Sequence, residues 1–226
     1  MTGRLAQADA PRAWPMYRAM VGVGLSCGVL IVTVYQLTRP AIEHNRAVAL
    51  QRAILDVLPA ARSSASFRRV AQNRFGLAVE SRPGEPLVHA GYDDRGRLVG
   101  LALEARFMGY QDAIRVLYGY SPDDQTIIGL RVLESRETPG LGDRIETDAR
   151  FLENFQRLDV SLSADLSQIA QPIEPVKRGA RRQAWQVEGI SGATISSSAV
   201  ARGLRESTAH WIPPIQHHLD DFRERR

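Results

Sequence analysis

Residues 19–37, reading AMVGVGLSCGVLIVTVYQL, carry no charge. No other feature constrains the fold as much, because a segment that leaves water must satisfy its own backbone polar groups, and a lone segment can do that only as a helix. At about 1.5 Å per residue the run reaches the thickness of a bilayer core, so one transmembrane helix is expected. A cleaved signal peptide is the rival reading. Against it, the run is long for a signal's apolar region, and the first small-x-small triplet, Ala47-Val48-Ala49, lies well beyond it. Orientation stays open on charge alone: Arg4, Arg12 and Arg18 precede the run, Arg39, Arg46 and Arg52 follow it, and long domains translocate largely regardless of charge.

The remainder of the 226 residues suffices for one ordinary domain, and a hydrophobic fraction of 44% supplies a core. The net charge of +4 comes from 29 basic and 25 acidic residues, and Lys177 is the single lysine. Arginines gather at Arg178, Arg181 and Arg182 and again at Arg223, Arg225 and Arg226. Such clusters read as solvated faces, with anionic lipid or an acidic partner as the sharper alternative. No aromatic residues are interleaved with them and no nucleic-acid motif accompanies them, so a DNA or RNA partner is not expected. Cys27 is the only cysteine. A disulfide within the chain, a Cys-ligated cluster and a CxxC pair are therefore excluded, and redox chemistry would need an added cofactor. His217 and His218 are adjacent rather than at ligand spacing, and no metal site is assigned to them.

In chain order, residues 1–18 form a short tail and residues 19–37 the anchor. Pro40 marks the exit, followed by a juxtamembrane helix over residues 41–58 that Pro59 closes. Residues 60–82 are rich in Ser and Arg with weak periodicity and suit a linker or a partner-facing segment, so that residues 38–85 are expected to hold the juxtamembrane helix and linker. From residue 86 the pattern is strand-like. Residues 87–90 and 98–103 flank a turn at Asp93-Asp94-Arg95-Gly96, and residues 113–120 and 126–133 flank Ser121-Pro122-Asp123-Asp124. Four strands in so short a span predict an antiparallel or mixed sheet rather than βαβ units. A short amphipathic helix is expected over 150–158, a Pro-bearing loop over 159–180 and a strand at 184–187. A final helix should stop near Trp211, Pro213 and Pro214, leaving residues 213–226 as a polar tail. The fold class is α+β: one transmembrane helix, then a sheet domain over residues 86–212.

Two stretches carry chemistry. Residues 188–199, EGISGATISSSA, place Gly192 and Thr194 between a strand and an apolar helical pattern at Ile195, Ala199, Val200 and Leu204. Unpartnered N–H groups and the positive end of the helix dipole make such a turn a site for an anionic phosphate. Ser191, Ser196 and Ser197 could add hydroxyl donors, and ordinary helix capping accounts for the same serines equally well. Residues 134–146, ESRETPGLGDRIE, force a tightly turned loop through Pro139, Gly140 and Gly142, with backbone open to a ligand. Residues 189–193 also approximate a G-x-S-x-G nucleophile elbow, but the acid and histidine such a hydrolase requires downstream would have to come from a helix and a tail.

Ser191-Gly192-Ala193-Thr194-Ile195-Ser196 resembles the S-G-A-T-x-[ST] flavinylation motif of the FMN-binding domain family. Glu137-Thr138-Pro139-Gly140-Leu141-Gly142 resembles the E-T-P-G-L-G loop that accompanies it, and residues 109–114, GYQDAI, resemble the family's entry to the second hairpin. Together with the tail and anchor, these are similar to the G subunits of Rnf ion-translocating electron-transport complexes. The longer C subunits of sodium-pumping NADH:quinone oxidoreductases are the nearest alternative.

The resemblance implies FMN joined through its phosphate to Thr194 by a flavin transferase using FAD. It also implies a single-pass protein of the bacterial inner membrane with its C-terminal domain on the periplasmic side. The implied role is an electron relay between other subunits of the Rnf complex, linking ferredoxin and NAD to Na+ or H+ movement, with no independent catalytic residue. By the same resemblance Ser191, Gly192, Ala193 and Ser196 surround the phosphate. Thr138, Pro139 and Leu141, with Gly140 as a further cofactor-binding candidate, are expected to pack beside the flavin ring, with Glu137 ordering the loop or contacting ring heteroatoms; the alternative is that the loop only shapes the fold. Family members often carry Asp where this chain has Glu188. An anchored scaffold or flavin sensor is the non-redox reading of the same motifs.

Overall fold

The structure, a computed structural model, describes residues 13–78 and 85–223. The ends of the expected tails, residues 1–12 and 224–226, and residues 79–84 of the expected linker lie outside the described residues. The chain divides into two units, Met1–Val48 and Ala49–Arg226.

Helix α1 is Ala13–Val57, 45 residues long, and it passes through Pro40 where the sequence predicts an end. Proline removes one N–H donor and crowds the preceding turn, a local cost that the apolar and well-formed turns on either side outweigh. In the first unit the residues from 14 to 47 are exposed throughout. This is one helix long and apolar enough to cross a membrane, and none of its most apolar stretch is buried in protein.

The second unit begins with the last turns of α1 and is built on an antiparallel sheet. Its strands are β1 (Ser63–Arg69), β2 (Phe75–Leu77), β3 (Leu87–Tyr92), β4 (Leu98–Met108), β5 (Ala113–Ser121), β6 (Thr126–Glu134) and β7 (Leu158–Asp159), in the order β2-β1-β3-β4-β5-β6-β7. Both predicted hairpins are present, with Ala90 opposite Leu101 in the first and Tyr118 opposite Leu130 in the second. The expected linker is corrected. It supplies β1 and β2, β1 pairing with β3 through Phe67↔Val88 and Ser66↔His89. Only Phe67 of β1 is buried, so the strand is held mainly by its backbone ladder and shows little apolar alternation.

Successive residues face opposite sides of a strand, which splits the core in two. On one face Leu101, Leu103, Tyr118 and Tyr120 pack with Val200, Leu204, Ile212 and Ile215 of helix α3 (Thr194–His217). On the other, Ala102 and Leu117 receive Ala53, Ile54 and Val57 from the end of α1 and Leu58 just after it. Close approach there depends on glycine. A Cβ at Gly129 would stand 3.0 Å from Val57 Cα, and one at Gly100 would stand 2.7 Å from a Leu58 methyl.

The expected helix over 150–158 is shorter: α2 is Ala149–Glu153, capped by Asp148 accepting from Phe151 N at 3.1 Å, and Leu158 already belongs to β7. The Pro-bearing loop contains β8 (Glu174–Val176), parallel to β9 (Gln186–Glu188) in a separate two-stranded sheet. The polar tail is likewise corrected. Helix α3 continues through Pro213 and Pro214, and a further turn, α4 (Asp220–Arg223), follows. Phe222 there is fully buried, its ring 5.0 Å from Phe67 and 4.8 Å from Phe75. Asp221 accepts from Phe75 N at 2.9 Å and pairs with Arg74. A lone apolar residue in a charged segment leaves no periodic signal, yet it closes the core beside β1 and β2.

Candidate functional site

The strand-to-helix turn is held from three sides before any ligand is considered. Asn154, buried behind β9, donates to the Glu188 carbonyl at 3.3 Å and accepts from the Glu188 amide at 3.0 Å. Arg144 donates to the Ser191 carbonyl at 3.0 Å while paired with Asp148 at 2.9 Å. Ser197 accepts from Ile190 N at 3.1 Å and donates to the Ala193 carbonyl at 2.8 Å. Gly192 has φ of 86°, a conformation a side chain would strain. A chain fixed this way presents the start of α3 in one orientation.

Helix α3 starts at Thr194 after Ala193, and no side chain caps it. Thr194 is exposed there, at the end of the helix where backbone donors and the dipole favour an anion. The phase of the helix departs from the sequence reading. Ile195 is exposed, whereas Ser196 and Ser197 are buried. The inward face runs Ser196, Val200, Leu204, and it can take hydroxyls because both have partners inside: Ile190 N for Ser197 and the Glu137 carboxylate for Ser196.

Glu137 is 5% exposed. Its carboxylate accepts from Gln111 N at 3.0 Å, from Tyr110 N at 3.2 Å and from the Ser196 hydroxyl. Burial pushes its carboxyl pKa up, but the hydrogen bonds from Ser196 and from the Gln111 and Tyr110 amides outweigh burial and hold it below the usual carboxylate range. Gly142 makes room for this arrangement, since a Cβ there would lie 2.8 Å from the Glu137 carboxylate and 2.9 Å from Ser196 Oγ.

Between the two motifs lies a cavity of about 380 Å³ lined by Tyr110, Glu137, Thr138, Leu141, Gly142, Gly192, Ala193, Thr194, Ile195 and Ser196. Of the residues the sequence singles out, Glu137, Thr138, Leu141, Gly192, Ala193, Thr194 and Ser196 are brought together on its wall; Ser191, Pro139 and Gly140 are not. Pro139 and Gly140 instead form the exposed tip of the loop, Gly140 with φ of 76°. Tyr110, Gly142 and Ile195 also line the cavity without having been read as site residues. Tyr110 is 66%, Ile195 54% and Leu141 51% exposed, an unusual display of large apolar side chains at one place. Arg144 and Asn154 carry no motif signal, because each acts on a backbone group far away in sequence, whereas Ser197, offered by the sequence as a phosphate donor or cap, holds the turn's own backbone instead.

A volume in the range of small-molecule sites, apolar walls and an uncapped helix start fit a group with a planar apolar body and a phosphate. Comparison with known proteins agrees. Residues 109–209 match the FMN-binding domain family. The chain is 34% identical over 202 residues to the G subunit of the ion-translocating oxidoreductase complex of Methanosarcina acetivorans, covering 88% of this chain and 95% of that protein. With the corresponding G subunit of Pasteurella multocida the identity is 28% over 186 residues, covering 82% and 86%. Among solved structures, the C subunit of the Na(+)-translocating NADH-quinone reductase of Parabacteroides distasonis shares the fold, with a TM-score of 0.58, 18% identity and coverage of 83% of this chain and 98% of that one. The chain therefore belongs to the family of G subunits of ion-translocating oxidoreductase complexes, with an FMN-binding domain spanning residues 109–209.

Proposed function

We propose that this chain is the membrane-anchored FMN subunit that passes electrons within an ion-translocating oxidoreductase complex, and that its FMN is joined through phosphate to Thr194. The observation that carries the reading is the placement of Thr194: exposed, first in a 24-residue helix with no side-chain cap, and on the wall of the cavity. Its hydroxyl is presented where the backbone stabilises a phosphate without a basic side chain. In this reading the Thr194 hydroxyl takes the FMN phosphate from FAD, AMP departs, and a flavin transferase catalyses the exchange.

Bound FMN supplies electron transfer in single or paired steps. The protein's part is to hold and shield it. Gly192 and Ala193 let the backbone approach the phosphate, and Leu141, Ile195 and Tyr110 offer apolar surface to the ring. Arg144 and Asn154 keep the turn from shifting. The apolar helix of the first unit anchors the chain beside the other subunits of its complex. The domain is placed on the periplasmic side, a reading supported by the family resemblance and tested by protease protection in sealed vesicles.

Intact-mass spectrometry of protein purified from its native membranes tests the linkage. An increase equal to FMN less one water, mapped to Thr194 and absent in Thr194→Val, is expected; unmodified Thr194 in functional, assembled protein overturns it. Relay and scaffold separate in the assembled complex. If Thr194→Val retains full ferredoxin:NAD activity while deletion of the whole chain abolishes it, the relay is wrong and the scaffold stands.

A further inference from the structure

We infer that Glu137 is a positioning residue, a buried tie that fixes the distance between the start of α3 and the Tyr110 wall of the cavity, and that Tyr110 is the aromatic side chain the flavin ring meets. The inference rests on the reading of Thr194 as the FMN attachment point.

Three donors from two remote segments converge on one carboxylate. Tyr110 N and Gln111 N come from the turn between β4 and β5, and the Ser196 hydroxyl comes from the first turn of α3. An ionised carboxylate accepts about four hydrogen bonds. With three taken and 5% of the residue exposed, Glu137 has little left to offer a ring heteroatom. The two readings left open by the loop motif are thereby separated: Glu137 orders the site rather than touching the ring.

The packing around the tie leaves no slack. A Cβ at Gly142 would crowd both Glu137 and Ser196, and one at Gly109 would stand 2.6 Å from the Ile114 side chain and collide with the Glu137 carboxylate. Gly109 immediately precedes Tyr110 and Gly142 follows Leu141, so the glycines that admit the carboxylate also place two residues of the cavity wall. Tyr110 is held by its amide while its side chain is 66% exposed along that cavity. An aromatic ring fixed at its root and free at its face is suited to stacking on a planar ligand.

Full-length protein, purified in detergent with its flavin, gives two independent readouts. Hydrogen exchange at the Tyr110 and Gln111 amides reports the tie whether or not flavin is attached. Flavin fluorescence reports Tyr110, because a phenol in contact with the ring quenches the excited flavin. Glu137→Gln should speed exchange at these amides about tenfold, the scale that losing one hydrogen bond to a charged group supports, and raise fluorescence severalfold. Tyr110→Leu should raise fluorescence equally and leave exchange at Gln111 as it was. The double variant should fluoresce no more than Tyr110→Leu alone, since both act through one contact.

Unchanged exchange in Glu137→Gln overturns the tie. Faster exchange with unchanged fluorescence, or a double variant in which the two effects add, overturns its action through Tyr110. Should Glu137→Gln fail to fold, Ser196→Ala removes one donor, keeps the charge, and must speed exchange in the first turn of α3 for the tie to stand. Wild-type protein without flavin on Thr194 overturns the attachment and the role given to Tyr110 with it, while the exchange arm still decides the tie.

Discussion

Helices α1 and α3 are both long and both contain proline, yet they use apolar residues in opposite ways. Across residues 14–47, α1 exposes every side chain and finds no protein surface to cover it. Its uncharged stretch is suited to a lipid environment, as expected of the anchor of a membrane-complex subunit. Helix α3 buries Val200, Leu204, Ile212 and Ile215 against the sheet and spends its first turn on the cavity. The contrast teaches that hydrophobicity anchors the first helix, whereas a few hydrogen bonds at one end of the second make the site.

The most drastic way to break the contrast is to remove residues 1–48. The domain of Ala49–Arg226 should then leave the membrane fraction entirely for the supernatant, while Thr194→Val should leave membrane association unchanged; fractionation and immunodetection check both. Next in size is Leu204→Ala, where a fully buried side chain is truncated: denaturant unfolding in detergent should show a loss of about 2–5 kcal/mol.

Glu137→Gln should cost about 1.5–3 kcal/mol at neutral pH, the range for hydrogen bonds to a charged group. Its pH dependence has a definite sign. The carboxyl pKa is lowered in the folded protein, so the stabilisation is fully present above the unfolded value and disappears as pH falls through the folded one. The stability gap between wild type and Glu137→Gln should therefore be widest near neutrality, begin to shrink as pH falls below the ordinary glutamate value of about 4.3, and vanish only below the lowered folded value, which unfolding curves across pH would show. Ser197→Ala leaves the buried Ile190 amide without its acceptor and should cost about 1–3 kcal/mol by the same measurement. The smallest effect belongs to the first helix. Leu30→Ala, exposed in the apolar run, should change domain stability by no more than about 0.5 kcal/mol, and a larger change would mean that the apolar run contributes to the domain's stability beyond the last turns of α1.

What was readable in the sequence follows from how local each signal is. The two hairpins announce themselves because Asp93 to Gly96 and Ser121 to Asp124 are turn chemistry set between apolar runs, a code written within a few residues. β1 could not be read this way. Its one buried residue, Phe67, sits among serines and arginines, and the strand exists because β3 offers an edge to pair with. α4 is a similar case, with Phe222 meaningful only beside Phe67 and Phe75. In the site, the motif residues Thr194, Gly192 and Leu141 are legible by resemblance, and the structure places them on one cavity. The sequence assigns Ile195 to the apolar helix face and leaves Ser196 as a phosphate donor or an ordinary cap. The helix phase reverses the first, and the Glu137 carboxylate claims the second.

Readable from residues alone were an apolar run long enough to span a membrane, a turn able to receive a phosphate, and a single cysteine that leaves electron transfer to an added cofactor. These depend on charge, length and residue identity over short stretches. It took packing to bring Glu137 inward to three donors, to stand Tyr110 and Ile195 with Leu141 around the cavity, and to pair β1 and β2 into the sheet. Each of those joins groups many residues apart, and which donor meets which acceptor is set by the packing of α3 on the sheet, a relation no local pattern encodes.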